Sequence, residues 1–145
     1  MMKTILFVCT GNTCRSPMAE GFANAEFKKR GLCYRAKSAG LSADEGGASE
    51  FSILAAEEYG VDVSAHRARQ LTLEMIEEAE RVYTMTPAQA YLLNQLVKGK
   101  KILPLTAEGI SDPYGGSEEV YRSCAKEIKK AVEALGEELD GTETC

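Results

Sequence analysis

Histidine occurs once in this chain of 145 residues, as His66. There is also no Cys-x2-Cys pair, so the ligand set of a zinc site is missing, and neither a metal nor another cofactor is expected. Cations are in the minority, with 17 Lys and Arg against 22 Asp and Glu and a net charge of −5, which argues against nucleic-acid binding. Long apolar runs are lacking. Met1 to Thr4 lead straight into the short run Ile5-Leu6-Phe7-Val8, well below a secretory h-region or the roughly 20 residues of a membrane span. A cytoplasmic protein without a membrane partner is therefore expected. The five cysteines, an odd number at irregular spacing, do not form a disulfide framework. Low-complexity linkers and internal repeats are absent as well.

What remains, 44% hydrophobic and 27% charged residues, suits one globular domain over residues 1–145. Strands are expected at Thr4 to Val8, Tyr34 to Ser38, Arg81 to Thr84 and Lys101 to Leu103. Helices are expected at Pro17 to Arg30, Glu50 to Tyr59, Leu73 to Glu78, Pro87 to Gln95 and Ser117 to Leu139. Such alternation defines an α/β fold, a doubly wound four-stranded parallel sheet between two helical layers. Ligands of such sheets sit beyond the carboxyl ends of the strands. Cys9 falls at that edge, rimmed by the loops Ala39 to Gly47 and Ala107 to Ser117. The polar segment Asp140 to Cys145 is expected to fray.

The most informative stretch is Cys9-Thr10-Gly11-Asn12-Thr13-Cys14-Arg15-Ser16, between the first strand and the helix-start signal Ser16-Pro17. If this loop curls around one point, its backbone N–H groups converge there and the helix N-terminus adds positive potential, making a nest for a tetrahedral oxyanion. That field favours thiolate over thiol; cysteines so placed have pKa values lowered from about 8.5 to roughly 3.5–7.5. Cys9 is the candidate nucleophile, and Thr10, Gly11, Asn12, Thr13, Cys14 and Ser16 are the candidate anion-binding residues. Arg15 can hold two phosphate oxygens with its planar fork. Ser16 can donate its hydroxyl to the sulfur. A cysteine closing an apolar strand is also a common core residue, and the flanking strand, helix start and Gly-Asn pair distinguish the two readings. Attack on phosphorus further requires an acid for the leaving group. Asp112, in Asp112-Pro113-Tyr114-Gly115-Gly116, is the candidate, although Asp-Pro is equally an ordinary turn.

Val8 to Glu20, together with Ser38-Ala39-Gly40, His66-Arg67-Ala68-Arg69 and Asp112 to Gly116, resembles the low-molecular-weight protein tyrosine phosphatase family, and most closely its bacterial protein arginine phosphatase branch. The resemblance spans nearly the whole chain. It implies the phosphotyrosine protein phosphatase I-like fold and a bacterial, cysteine-dependent phosphatase of phosphorylated proteins that releases inorganic phosphate. It implies a phosphocysteine on Cys9, with Asp112 first as general acid and then as base for water. Asn12 and Ser38 then support the loop, or are ordinary turn and strand-end residues. His66 matches the family's structural histidine and is read as a packing residue. Cys14 matches a position that, in several members, forms a reversible disulfide with the nucleophile; alternatively it is a small side chain that fits the loop.

Thr13 stands where tyrosine phosphatases of the family usually carry an aliphatic residue and arginine phosphatases carry threonine. Tyr114 is followed by Gly115-Gly116 rather than a second aromatic. Leu41-Ser42-Ala43-Asp44-Glu45 lacks the aromatic often found there and brings two acids, which suit a guanidinium better than a phenyl ring. Phosphoarginine in proteins is the expected substrate, with phosphotyrosine as the alternative. Thiol-coupled arsenate reductases share the fold and a similar loop but carry closely spaced redox cysteines late in the chain, whereas Cys33, Cys124 and Cys145 are widely separated.

Overall fold

The structure, a computed structural model, describes residues 2–142. Strand β1 (Lys3–Cys9) is the centre of the fold. Its alternate residues feed two separate cores: Ile5, Phe7 and Cys9 enter one, Leu6 and Val8 the other. A strand buried on both faces reads as an unbroken apolar run, which is why this segment shows no polar alternation.

The other elements are α1 (Arg15–Arg30), β2 (Tyr34–Gly40), α2 (Glu50–Glu57), α3 (Leu73–Glu78), β3 (Arg81–Thr84), α4 (Pro87–Leu96), β4 (Ile102–Pro104) and α5 (Glu118–Leu139). All strand pairings are parallel, in the order β2-β1-β3-β4. One core gathers Phe22 and Phe27 of α1, Ala55 of α2, and Tyr121, Ile128 and Leu139 of α5. The other gathers Ile76 of α3 with Ala90 and Leu93 of α4. This is the expected three-layer, doubly wound α/β sheet. The strand order reverses beside β1, and the connections leaving β1 and β3 diverge there, opening a crevice at the end of β1.

Helix ends follow local chemistry. Ser49, Thr72, Thr86 and Ser117 cap α2, α3, α4 and α5 through their hydroxyls, and Gly31, in the left-handed conformation at φ 67°, ends α1. The start of α1 differs: Cys14 offers no side-chain cap, and no acidic residue lies in the first turn. The N-terminal N–H groups of this helix are not closed off by side chains, and α1 begins at Arg15 instead of Pro17.

The expected fraying from Asp140 onward is not seen in the described part of that segment. Thr142 bonds through both N–H and hydroxyl to the Leu139 carbonyl, its hydroxyl lies 3.3 Å from that of Tyr34, and Asp140 pairs with Arg30. Polarity alone does not reveal this turn, because two of its partners, Arg30 and Tyr34, belong to α1 and β2. Residues 143–145, including Cys145, lie outside the described residues. Among the described residues, no helix is long and apolar enough to cross a membrane, and no cluster of His, Cys, Asp or Glu could hold a metal ion.

Candidate active site

Residues 10–14 leave the end of β1 and turn directly into α1. Their carbonyls all face outward: Thr10 O accepts from Ser42 N, Gly11 O from Asp44 N and Thr13 O from Ser49 N, each at 2.9 Å. Asn12 O lies 2.8 Å from His66 Nε2, and Cys14 O accepts from the Ser52 hydroxyl at 3.2 Å. In a trans peptide the N–H points opposite to the C=O, so outward carbonyls turn the N–H groups of Gly11 through Arg15 inward. Five oriented donors and the open N-terminus of α1 thus converge on one concavity, which is the geometry of an oxyanion nest.

Closing such a ring requires a left-handed residue, and Asn12 supplies it at φ 60°. Asparagine tolerates this region better than most residues, and here its side chain holds the turn from inside. Asn12 is fully buried, its Oδ1 accepting from Arg69 N at 2.9 Å and its Nδ2 donating to Ser16 Oγ at 2.7 Å and Ser38 Oγ at 3.0 Å. Ser38 in turn donates to Glu20 at 2.6 Å. Ser16 Oγ, already an acceptor, has Cys9 Sγ at 2.8 Å as the acceptor for its own proton. The donors Asn12 Nδ2 and Ser16 Oγ therefore lead to the sulfur. Asn12 and Ser38 hold the loop as supports. His66 does more than pack: it secures the peptide that carries the left-handed turn, while its Nδ1 is buried without a partner among the described residues. Gly40 permits this closeness, because a Cβ there would lie 2.6 Å from Thr10 O.

Arg15 is buried at the start of α1, where Nη1 donates to Ile110 O at 2.8 Å and Nη2 lies 3.7 Å from Asp112 Oδ2. Ile110 is fixed by its own N–H to Met85 O at 2.7 Å, just beyond β3. The sheet thus aims the guanidinium through the 105–116 connection. Asp112 forms the expected turn and also approaches Arg15. Its Oδ1 accepts from Tyr114 N at 3.0 Å as an Asx turn, while Oδ2 faces Arg15 and the side chain is 51% exposed.

Cys9, Thr10, Gly11, Thr13, Cys14, Arg15, Ser42, Asp44, Asp112 and Tyr114 line one cleft of about 300 Å³. Asn12 and Ser16 lie beneath it. Cys14 is buried, with Sγ 3.3 Å from Tyr121 OH and 3.8 Å from Ser49 Oγ, so the thiol is tied to α5 and α2. Burial pushes the Tyr121 hydroxyl up to about 12, with the Cys14 hydrogen bond adding to the shift. Burial likewise pushes Cys124 to about 12, so that thiol stays protonated and inert near neutrality.

Several contributors carry no sequence signal for this site. Gln89 reads as the helix-start partner of Thr86, yet its Nε2 also donates to Thr10 Oγ1 at 3.1 Å. Ser49 and Ser52 read as an ordinary helix start. Glu20, Tyr121 and the backbone of Arg69 reach the loop only through the fold.

A thiol at the floor of an oxyanion nest, with a buried arginine and a carboxyl at its rim, is the arrangement of an enzyme that transfers a phosphoryl group through cysteine. The signature of the low molecular weight phosphotyrosine protein phosphatases matches residues 4–144. The chain belongs to this family of cysteine-dependent protein phosphatases. It is 37% identical to a protein-arginine-phosphatase of Geobacillus stearothermophilus, an alignment covering 96% of this chain and 97% of that protein. The crystal structure of a low molecular weight protein tyrosine phosphatase from T. tengcongensis matches with TM-score 0.89 and 40% identity, covering 94% of this chain and 99% of the other. The YwlE arginine phosphatase, as a cysteine-to-serine mutant with a phosphorylated active-site serine, matches with TM-score 0.89 and 30% identity, covering 95% and 96%.

Proposed function

We propose that this protein hydrolyses phosphoarginine in phosphorylated proteins. Cys9 attacks phosphorus, the P–N bond breaks, and Asp112 gives its proton to the departing guanidine. Asp112 then takes a proton from water as that water attacks the Cys9 phosphoryl group, the S–P bond breaks, and inorganic phosphate leaves. Thr10 to Cys14 and Arg15 hold the equatorial oxygens throughout, while the Ser16 hydroxyl stabilises sulfur as the leaving group. The cytoplasm suits a free thiol nucleophile of this kind.

The observation that carries the choice of substrate is the mouth of the cleft. Thr13 presents a hydroxyl there, and Tyr114, 77% exposed, is the one aromatic among the described lining residues. A phenyl ring therefore has one exposed aromatic face and no aliphatic partner at position 13. The arginine phosphatase relatives support the same reading. Tyr114 and the tyrosine phosphatase from T. tengcongensis favour phosphotyrosine as the second reading.

The test is kcat/KM for phosphoarginine and phosphotyrosine peptides in the wild type and in Thr13→Ile. The wild type is expected to prefer phosphoarginine. The substitution should move the ratio toward phosphotyrosine by roughly 10- to 200-fold, the worth of one misplaced polar or apolar group in a specific site. A wild-type preference for phosphotyrosine, or an unmoved ratio, overturns the arginine assignment.

Asp112→Asn is expected to separate leaving groups. An aryl phosphate that departs readily as an anion should lose little, whereas one that needs a proton should lose about 10²-fold in kcat. Equal losses on both would make Asp112 a turn residue alone.

A further inference from the structure

We propose that Asp44 is a specificity residue for the phosphoryl group's carrier, its carboxylate receiving N–H groups of the guanidinium; the inference rests on the phosphoarginine reading. Asp44 and Glu45 look equivalent in the sequence, but Asp44 lines the cleft and Glu45 does not. The Asp44 N–H donates to Gly11 O at 2.9 Å, which pins this residue to the phosphate loop itself. Its carboxylate lies over Gly11. A Cβ on Gly11 would collide with Asp44 Oδ2, would lie 3.1 Å from Cγ, and would be 3.6 Å from Thr13 Oγ1. The carboxylate and the Thr13 hydroxyl therefore stand together at the same lip of the nest. Among the described residues, the Asp44 carboxylate has no hydrogen bond or ion pair.

A carboxylate in this place makes no sense for an anion alone. It repels the phosphate that the inward N–H groups and Arg15 attract, and a phenyl ring offers nothing to offset that repulsion. A phosphoguanidinium does offset it: the nitrogen bonded to phosphorus belongs to a planar cation whose remaining N–H groups lie next to the phosphoryl oxygens and match a carboxylate in geometry and charge. One residue then rewards the arginine ester analogue and penalises the aryl ester, which is discrimination by attraction and repulsion together. A side chain at position 11 would displace the carboxylate.

The experiment compares wild type with Asp44→Asn and Asp44→Ala, measuring kcat/KM on a phosphoarginine peptide and a phosphotyrosine peptide and the inhibition constant of inorganic phosphate. Both variants should lose about tenfold on phosphoarginine, the scale of one charge-assisted contact at a partly solvated site, while phosphotyrosine turnover rises and phosphate inhibits more tightly. Tighter phosphate inhibition also certifies an intact loop. A ratio of the two activities that does not move, or equal losses on both peptides with weaker phosphate inhibition, overturns the role of Asp44 while leaving the phosphoarginine assignment standing. Absence of phosphoarginine turnover in the wild type overturns both.

Discussion

Cys9→Ser is expected to abolish turnover, with a loss on the order of 10⁴-fold or more in kcat, while inorganic phosphate still binds within a few-fold of its wild-type affinity. The asymmetry follows from the division of labour in the loop. Anion binding comes from the N–H groups of Gly11 through Arg15, oriented by outward carbonyls that never involve the sulfur. Turnover comes from the sulfur, because a serine oxygen in the same place is a far poorer nucleophile and, once phosphorylated, a far poorer leaving group. Single-turnover kinetics with calorimetric phosphate binding provide the measurement. Appreciable steady-state turnover in the serine variant would sink the covalent mechanism. Loss of phosphate binding would instead mean that the thiol helps to shape the nest.

Arg15→Lys is expected to cost about 10²- to 10³-fold in kcat/KM and to weaken phosphate binding, despite conserving the charge. The guanidinium is buried, and its planar fork is already oriented by the Ile110 carbonyl and Asp112. A lysine ammonium cannot bond that carbonyl and still present two parallel donors to the phosphoryl oxygens. A double variant with Asp112→Asn adds a further check, since residues in direct contact should show non-additive losses. A single Arg15→Lys variant within a few-fold of wild type would remove Arg15 from the catalytic machinery.

The layers of the fold were open to inspection in the sequence, because each is written in short-range chemistry. The run Ile5 to Val8 has the density of a strand buried on both faces, and Thr86-Pro87 with Gln89 spells a helix start. The limits of β1, at Lys3 and Cys9, were less accessible, since the partner strands set them through the pairings Lys3↔Tyr34 and Cys9↔Gly40. The turn at Asp140 to Thr142 was misjudged for the same reason. Its partners, Arg30 and Tyr34, are distant in sequence.

The site divides in the same way. Cys9, Arg15 and the residues between them form one loop, so their spacing alone brought them together as candidates. Asp112 could be nominated because the chemistry demands an acid, but its approach to Arg15 depends on Ile110 being tied to the end of β3. The hydrogen bonds that diverge from Asn12 Nδ2, one branch to Ser16 and Cys9 and the other to Ser38 and Glu20, had no sequence signature at all. They require the side-chain amide of Asn12 to be oriented by the backbone of Arg69, which the Gly40 N–H holds beside the end of β2. Asp44 is the sharpest case. In the sequence it is one of two adjacent acids in a polar loop; both are exposed, but Asp44, bonded through its N–H to Gly11, lines the cleft and Glu45 does not. The sequence by itself determined the local pattern, meaning which residues could strand, coil, cap and react. The tertiary structure decided which of them share a site, because that depends on contacts between segments far apart in the chain, whose geometry no local spacing encodes.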